Sequence, residues 1–252
     1  MFPYDLALLA AVQNAPQSIS DVVQILENIE SICADGDGLK WFNWLYLQVT
    51  QAVQARANAS DLTNSPSPAS FTNPTWVASL DVAFARHYFS AVETSLTASS
   101  EEATPGCWQA LFAQRNQLSL TRIQFALAGM NAHINHDLPQ AILATCQATS
   151  IAPQHGTIQY NDYTALDTTL DSLVNAAKVT LRVRLLGNDL PPVSALDNTL
   201  AAWSVAAARE AAWNNAELLF HLADAPLLAS SFLGTLDGLT ALASKTLLVS
   251  VP

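Results

Sequence analysis

Apolar side chains recur at intervals of three and four residues along nearly the whole chain, and nowhere do they alternate convincingly with polar ones. Val22, Ile25, Leu26, Ile29, Ile32 and Cys33 repeat in this way, as do Leu166, Leu170, Leu173, Val174, Ala177, Leu181 and Leu185. Such spacing places the residues on one stripe of an α-helix, whereas a half-buried strand needs a period of two. An Ala-dominated composition with only eight glycines in 252 residues favours the same conformation. The pattern predicts an all-α fold: a single domain over 1–252, a bundle of seven to nine helices with two longer loops, at 58–73 and 149–162.

Local signals place the boundaries. A short helix spans 3–14, and Ser18 or Ser20 can cap a second that the ADGDG loop at 34–38 stops. Asn73-Pro74 starts a helix that runs to about residue 97, because proline is tolerated in the first turn. After the acidic loop SSEEA, Thr104-Pro105 opens another, with a break near 116–119. Pro139 is expected to push Leu138 out of α geometry and break the chain there. A helix over about 163–186, a stop at Asn188 to Pro192, a long helix from Ser194 to about Ala223 and a last one opened by Pro226 complete the reading.

Charge narrows the function classes. Half the residues are hydrophobic and only 12% are charged, against a usual quarter. Surplus apolar helix faces must therefore be buried in the monomer or in a homodimer. A net charge of −11 with ten Lys and Arg argues against nucleic acid and against anionic membrane surfaces. No uninterrupted apolar stretch approaches the roughly 18 residues of a membrane span. The N-terminal MFPYDLALLAAVQNAP lacks the positive start of a signal peptide, so the chain reads as cytoplasmic. Cys33, Cys107 and Cys146, odd in number and widely spaced, read as reduced core thiols.

Chemistry concentrates in a few places. Arg122, Phe125, Gly129 and His133, then His136 or Asp137, share one stripe, and Ala126 and Gly129 leave it narrow enough for a neighbour to approach the backbone. Two readings of MNAHINHDLP stay open. His133 and Asp137 project together as ligands of zinc, iron or manganese; or Asp137 caps a helix restarting at Pro139 while the histidines bond carbonyls freed at the break. Glu210, Asn214, Glu217 and His221 form a polar line on an Ala- and Trp-rich helix, which is either an inward catalytic face or an ordinary solvated one. Asp81 and His87, six residues apart, do not share a face, and His155 lies in a loop. No phosphate-cradling Gly-rich loop, nucleophile elbow, HExxH or paired Glu-x-x-His motif is found, and no organic cofactor is predicted.

HINHDLP, with FNWLYLQVT at 42–50, FTNPTW at 71–76, LDVAFARHYF at 80–89 and AREAAWNNAELL at 208–219, resembles a bacterial and fungal family without assigned function. The resemblance implies that these segments form one site region. His133-Ile-Asn-His-Asp137 followed by Leu-Pro-Gln is also similar to the His-x-x-x-Asp element of the all-α zinc-dependent phospholipase C and P1-type nucleases. That likeness implies metal ligation by His133 and Asp137, completed by Asp81 or His87. The chain departs from it in lacking their processed N-terminal Trp and their downstream His-x-x-x-Glu, whose reverse is Glu217-x-x-x-His221.

Three functions are consistent with these features. The first is a metal-dependent, hydrolase-like enzyme acting on a small lipophilic or phosphoester substrate. His133, His136, Asp137, His87 and Asp81 would hold a divalent ion, Glu210 or Glu217 would act as general base, and Arg122 would steady developing negative charge. Trp41, Trp44 and Trp203, with Asn214 and His221, would line the substrate pocket. The second is a metal-free acid–base enzyme acting on a lipophilic small molecule. The third is a non-catalytic helical ligand-binding protein.

Overall fold

Two glycines and the aromatic rings seated against them set the spacing at the centre of the protein. In the computed structural model, which describes residues 2–61, 70–97, 104–183, 185 and 204–250, helix α3 (Gly38–Asp61) lies alongside α6 (Arg122–Ala132). A Cβ at Gly38 would enter the Phe125 ring, and one at Gly129 would enter the Phe42 ring. One turn further along both helices, Tyr46 meets His133, with ring centroids 4.7 Å apart. The two helices therefore run parallel in register, and the narrow stripe read from the sequence is the seam that admits α3.

Around this pair pack α1 (Asp5–Val12), α2 (Ile19–Ile32), α4 (Pro74–Thr97), α5 (Gly106–Phe112), α7 (Leu138–Ala148), α8 (Ile158–Thr164), α9 (Asp167–Thr180), α10 (Val205–His221) and α11 (Pro226–Leu247). The fold is all-α and single-domain, with no strand among the described residues. With α6, the wide turn after it and α7 taken as one rod, the described residues hold eight helices of at least two turns, plus the short α5 and α8. The termini follow capping rules. Ser18 accepts from Asp21 N–H while Asp21 reaches back to Ser18 N–H, Asn73 Oδ1 accepts from Trp76 N–H at 3.0 Å, and Pro226 opens α11.

Several boundaries differ from the sequence expectation. The loop expected over 149–162 holds a helix of its own from Ile158, α8, and the helix expected over 163–186 is α9, which starts at Asp167 after a bend and ends at Thr180. Pro139 does not break the chain: Leu138 keeps α geometry (φ −61°, ψ −41°). Residues His133–Asp137 instead form one π-helical turn, in which Leu138 N–H bonds the His133 carbonyl five residues back. The wider turn lengthens the hydrogen-bond ladder where proline would otherwise collide with it, and Gln140 Nε2 donates to the His136 carbonyl at 2.9 Å. The helix start at Ser194, the stop at 188–192, the acidic loop at 99–103 and residues 62–69 of the 58–73 loop lie outside the described residues, while 58–61 belong to α3 and not to the loop.

Buried polar groups fasten the outer helices. Gln124 Nε2 donates to the carbonyls of Leu247 and Val249, and Asn131 Nδ2 to the Thr240 carbonyl and Ser244 Oγ, seating α11 on α6. Arg115 bridges Asp5 and the fully buried Asp37. By length and composition α11 is apolar enough to cross a membrane, and little of it is buried; Asp237 in its middle is partly exposed and accepts from Gly106 and Cys107 N–H.

The glycine contrast is testable. Gly129→Ala is expected to cost about 1–3 kcal/mol, because two backbones must separate or Phe42 must leave its rotamer. Gly234 on α11 faces open space, so Gly234→Ala is expected to gain roughly 0.5–1 kcal/mol. Urea titrations that place both changes on the same side of wild type would contradict the seam.

Candidate functional site: an aspartate hub inside an aromatic cage

The π turn brings His133, His136 and Asp137 together around one carboxylate. Asp137 Oδ2 accepts from Trp108 Nε1 at 3.0 Å and lies 2.9 Å from His133 Nδ1, while Oδ1 lies 2.7 Å from His136 Nδ1. The carboxylate and the His133 ring are fully enclosed. Burial alone would raise the Asp137 carboxyl, but the hydrogen bonds and charges of the two histidines outweigh it and bring it down to about 2. His133 moves the other way: burial pulls it below its ordinary value despite Asp137. Facing an ionised carboxylate, Nδ1 is the nitrogen that donates, so in the neutral imidazole, which burial favours, the lone pair stands on Nε2. His136 is raised, because its hydrogen bond to Asp137 and that carboxylate's charge outweigh partial burial. His87 is lowered by burial and is close enough to feel Asp137 and His136.

His133 sits in a cage of five aromatic rings. Phe84 stacks on it at 3.4 Å and 7°; Tyr46, Phe42, Trp108 and Tyr88 surround it with centroids at 4.7 to 6.2 Å. Four of these rings come from two identical spacings, Phe42-x-x-x-Tyr46 on α3 and Phe84-x-x-x-Tyr88 on α4. Sequence reasoning missed that repeated pairing, which was there to be found. His133 Nε2 is buried with no hydrogen-bond partner among the described residues, and the same holds for Tyr46 Oη and Tyr88 Oη in the cage and for Asp81 Oδ2 in the cavity next to it. Buried polar atoms are nearly always paired, so these four in the cage and the cavity that adjoins it call for an explanation.

Asp81 lies one turn before Phe84 and lines a cavity of about 50 Å³ with Tyr46, Trp76, Phe84, Tyr163 and Arg209. Burial raises its carboxyl to about 7. The cation in that wall, Arg209, is occupied by Asp167 Oδ1 at 2.7 Å and the Tyr163 carbonyl at 2.6 Å. Tyr46 and Phe84 touch both the cavity and His133, so they join the two features.

Other expected site residues lie elsewhere. Arg122 stands eleven residues before His133, roughly 16 Å away along the helix, stacked on Trp41 at 3.9 Å and paired with Asp35 at 3.5 Å. It cannot steady charge at His133, and Trp41, held there with its Nε1 on the Asp35 carbonyl, does not line the cage. Trp44 is partly buried against the core, and Trp203 is outside the described residues. The inner face of α10 is taken by Arg209, Ala212, Trp213 and Ala216, which leaves Asn214 and His221 exposed. Glu210 and Glu217 do converge, but on the loop residue His155: Nε2 to Glu210 at 3.0 Å and Nδ1 to Glu217 at 2.7 Å. Tyr160 Oη and Trp213 Nε1 complete that outer cluster. It pins the 150–157 loop to α10, so the placement of these carboxylates as bases at the histidine cluster is corrected. The three cysteines are free and buried as expected, and burial pushes Cys33 up to about 12 and Cys146 to about 11.

A family model described as a family of unknown function (DUF5995) matches residues 19–250. No curated protein and no solved structure matches the chain.

Proposed function

Because the chain belongs to DUF5995, a family of unknown function, we propose its activity from the side chains alone: an acid–base enzyme, hydrolase-like in type, that acts on a small, largely apolar molecule at His133. The observation that carries this reading is the orientation of His133. Its Nδ1 is fixed by a buried carboxylate, and its Nε2 is unpaired inside an apolar cage. A carboxylate behind one imidazole nitrogen sets the tautomer and stabilises the imidazolium that forms when the other nitrogen takes a proton. Asp137 is the positioning residue and His133 the base. Asp81, held largely protonated up to neutral pH, supplies an acid from the adjoining cavity.

The metal ligands expected from the sequence, His133 with Asp137, are used up in bonding to one another, which suits them to proton transfer. The similarity of this element to zinc phospholipase C and P1-type nucleases enters only as support for a hydrolytic reaction. A cavity of about 50 Å³ is well below the 300 Å³ or more of a usual ligand pocket. The reacting group is therefore only a few atoms in size, and Phe84, the half-buried ring stacked on His133, must rotate to admit it.

The test uses p-nitrophenyl esters of graded acyl length, with bis(p-nitrophenyl) phosphate as the phosphoester arm. The expected result is turnover of short acyl esters that falls at least about 100-fold in His133→Gln, with the far-ultraviolet circular dichroism of the wild type. Equal turnover by wild type and variant, or none with any probe, would overturn the proposal.

A further inference from the structure

We propose that Cys107, His136 and Asp237 form a binding site for one divalent ion of the zinc class, on the opposite side of the Asp137 carboxylate from the His133 cage. This goes beyond the acid–base reading and shares only Asp137 with it. The three residues come from α5, the π turn and α11, as far apart as 130 positions in sequence. Each presents one sulfur, nitrogen or oxygen within 4.8 Å of the others. Ligands of one tetrahedral zinc ion lie on the order of 3.5 Å apart, so closure needs side-chain movements of about 1 Å.

The surroundings already orient two of the three ligands. His136 Nδ1 is engaged by Asp137 Oδ1 at 2.7 Å, which leaves Nε2 as the nitrogen for an ion. A histidine held by a carboxylate through its second nitrogen is the usual arrangement behind a metal-bound imidazole. Asp237 is held from behind by Gly106 and Cys107 N–H, each at 2.9 Å, and each of its oxygens retains a lone pair. Cys107 is buried, while His136 and Asp237 are partly exposed, so the ion would meet three protein ligands and keep a position open towards solvent. A thiolate, imidazole and carboxylate set suits zinc or cobalt and is too soft for magnesium or calcium. The competing account is that Asp237 only caps α5 and Cys107 only fills the core.

Cobalt(II) titration of the chelator-treated, full-length protein decides between them. One tightly bound cobalt ion per chain is expected, with a thiolate-to-cobalt charge-transfer band in the near ultraviolet and tetrahedral d–d bands in the visible. Zinc should displace it. Cys107→Ser should abolish the charge-transfer band. Asp237→Asn, which keeps an acceptor for α5, should weaken binding by roughly tenfold or more, as should His136→Gln. Cys33→Ser, Cys146→Ser and His133→Gln should leave the spectrum unchanged. A folded wild type that binds no cobalt overturns the site, and so does a charge-transfer band that survives Cys107→Ser. Because His133→Gln removes the proposed base and no ligand, loss of esterase turnover with an intact cobalt spectrum separates failure of one proposal from failure of the other.

Discussion

Asp137→Ala is expected to destabilise the protein by about 3–5 kcal/mol, the range seen when one partner of a buried charged network is removed. The carboxylate receives Trp108 Nε1 and faces a nitrogen of each neighbouring histidine, and Trp108 and His133, enclosed among aromatic rings, have no replacement acceptor, whereas His136 is partly exposed. Truncation therefore leaves two donors, Trp108 Nε1 and His133 Nδ1, desolvated and unpaired, each costing roughly 1–3 kcal/mol before the structure relaxes. Asp137→Asn is expected to cost less, about 1–3 kcal/mol, since one acceptor survives and one imidazole must change tautomer. Urea titrations followed by tryptophan fluorescence, to which Trp108 contributes as one of six tryptophans, give both values. A loss below about 1 kcal/mol in Asp137→Ala would show that water replaces the carboxylate and that the hub does not hold the π turn.

What the sequence reveals about this fold follows the range of each interaction. Ser18, Asn73 and Pro226 declare helix starts because a cap involves atoms within four residues, and those starts are where they were read. Pro139 misled for the same reason. The rule for the residue before proline assumes an undisturbed α-ladder, and whether a wide turn is inserted instead depends on partners from other elements, Trp108 among them. The bend between α8 and α9 had no proline or glycine to announce it, and the apolar stripe Leu166, Leu170, Val174 and Ala177 belongs wholly to α9 and its cap.

The site divides along the same line. Spacing within one helix correctly put His133 and Asp137 side by side, and it separated Asp81 from His87. Whether such a pair binds an ion or each other is decided by ring orientation, which Phe84 and Tyr46 impose from two other helices. Glu210 and Glu217 form a line that periodicity can find but cannot orient. Trp213 and Arg209 on the same helix compete for the interior and win it through the Tyr163 carbonyl, Asp167 and apolar packing. Cys107 and Asp237 meet only through the packing of α11 on α5, which no local spacing encodes.

Asp81→Asn is expected to stabilise the protein at pH 8 and to leave it unchanged at pH 4. The carboxyl is 8% exposed, its Oδ2 has no partner among the described residues, and burial holds its pKa at about 7. An unfolded chain releases this proton near pH 4, whereas the folded chain keeps it until about pH 7. Between those values the folded state binds more protons than the unfolded one, so its stability falls as pH rises and then levels off above 7. A shift of about three units corresponds at most to about 4 kcal/mol, and partial solvation reduces the expected cost at pH 8 to roughly 2 kcal/mol. Asparagine has nearly the same shape and no charge to desolvate, so the variant escapes that cost, with a rise in Tm of roughly 4–8 °C for a chain of this length. Thermal melts at pH 4, 6 and 8 should show the two proteins diverging across the interval. An Asp81→Asn variant less stable than wild type at pH 8, or a difference independent of pH, would mean that the carboxylate is ionised and compensated in the fold. If the divergence appears and ester turnover falls in the same variant, the chain is keeping an uncompensated acid beside His133 at the expense of stability, as an acid serving proton transfer requires.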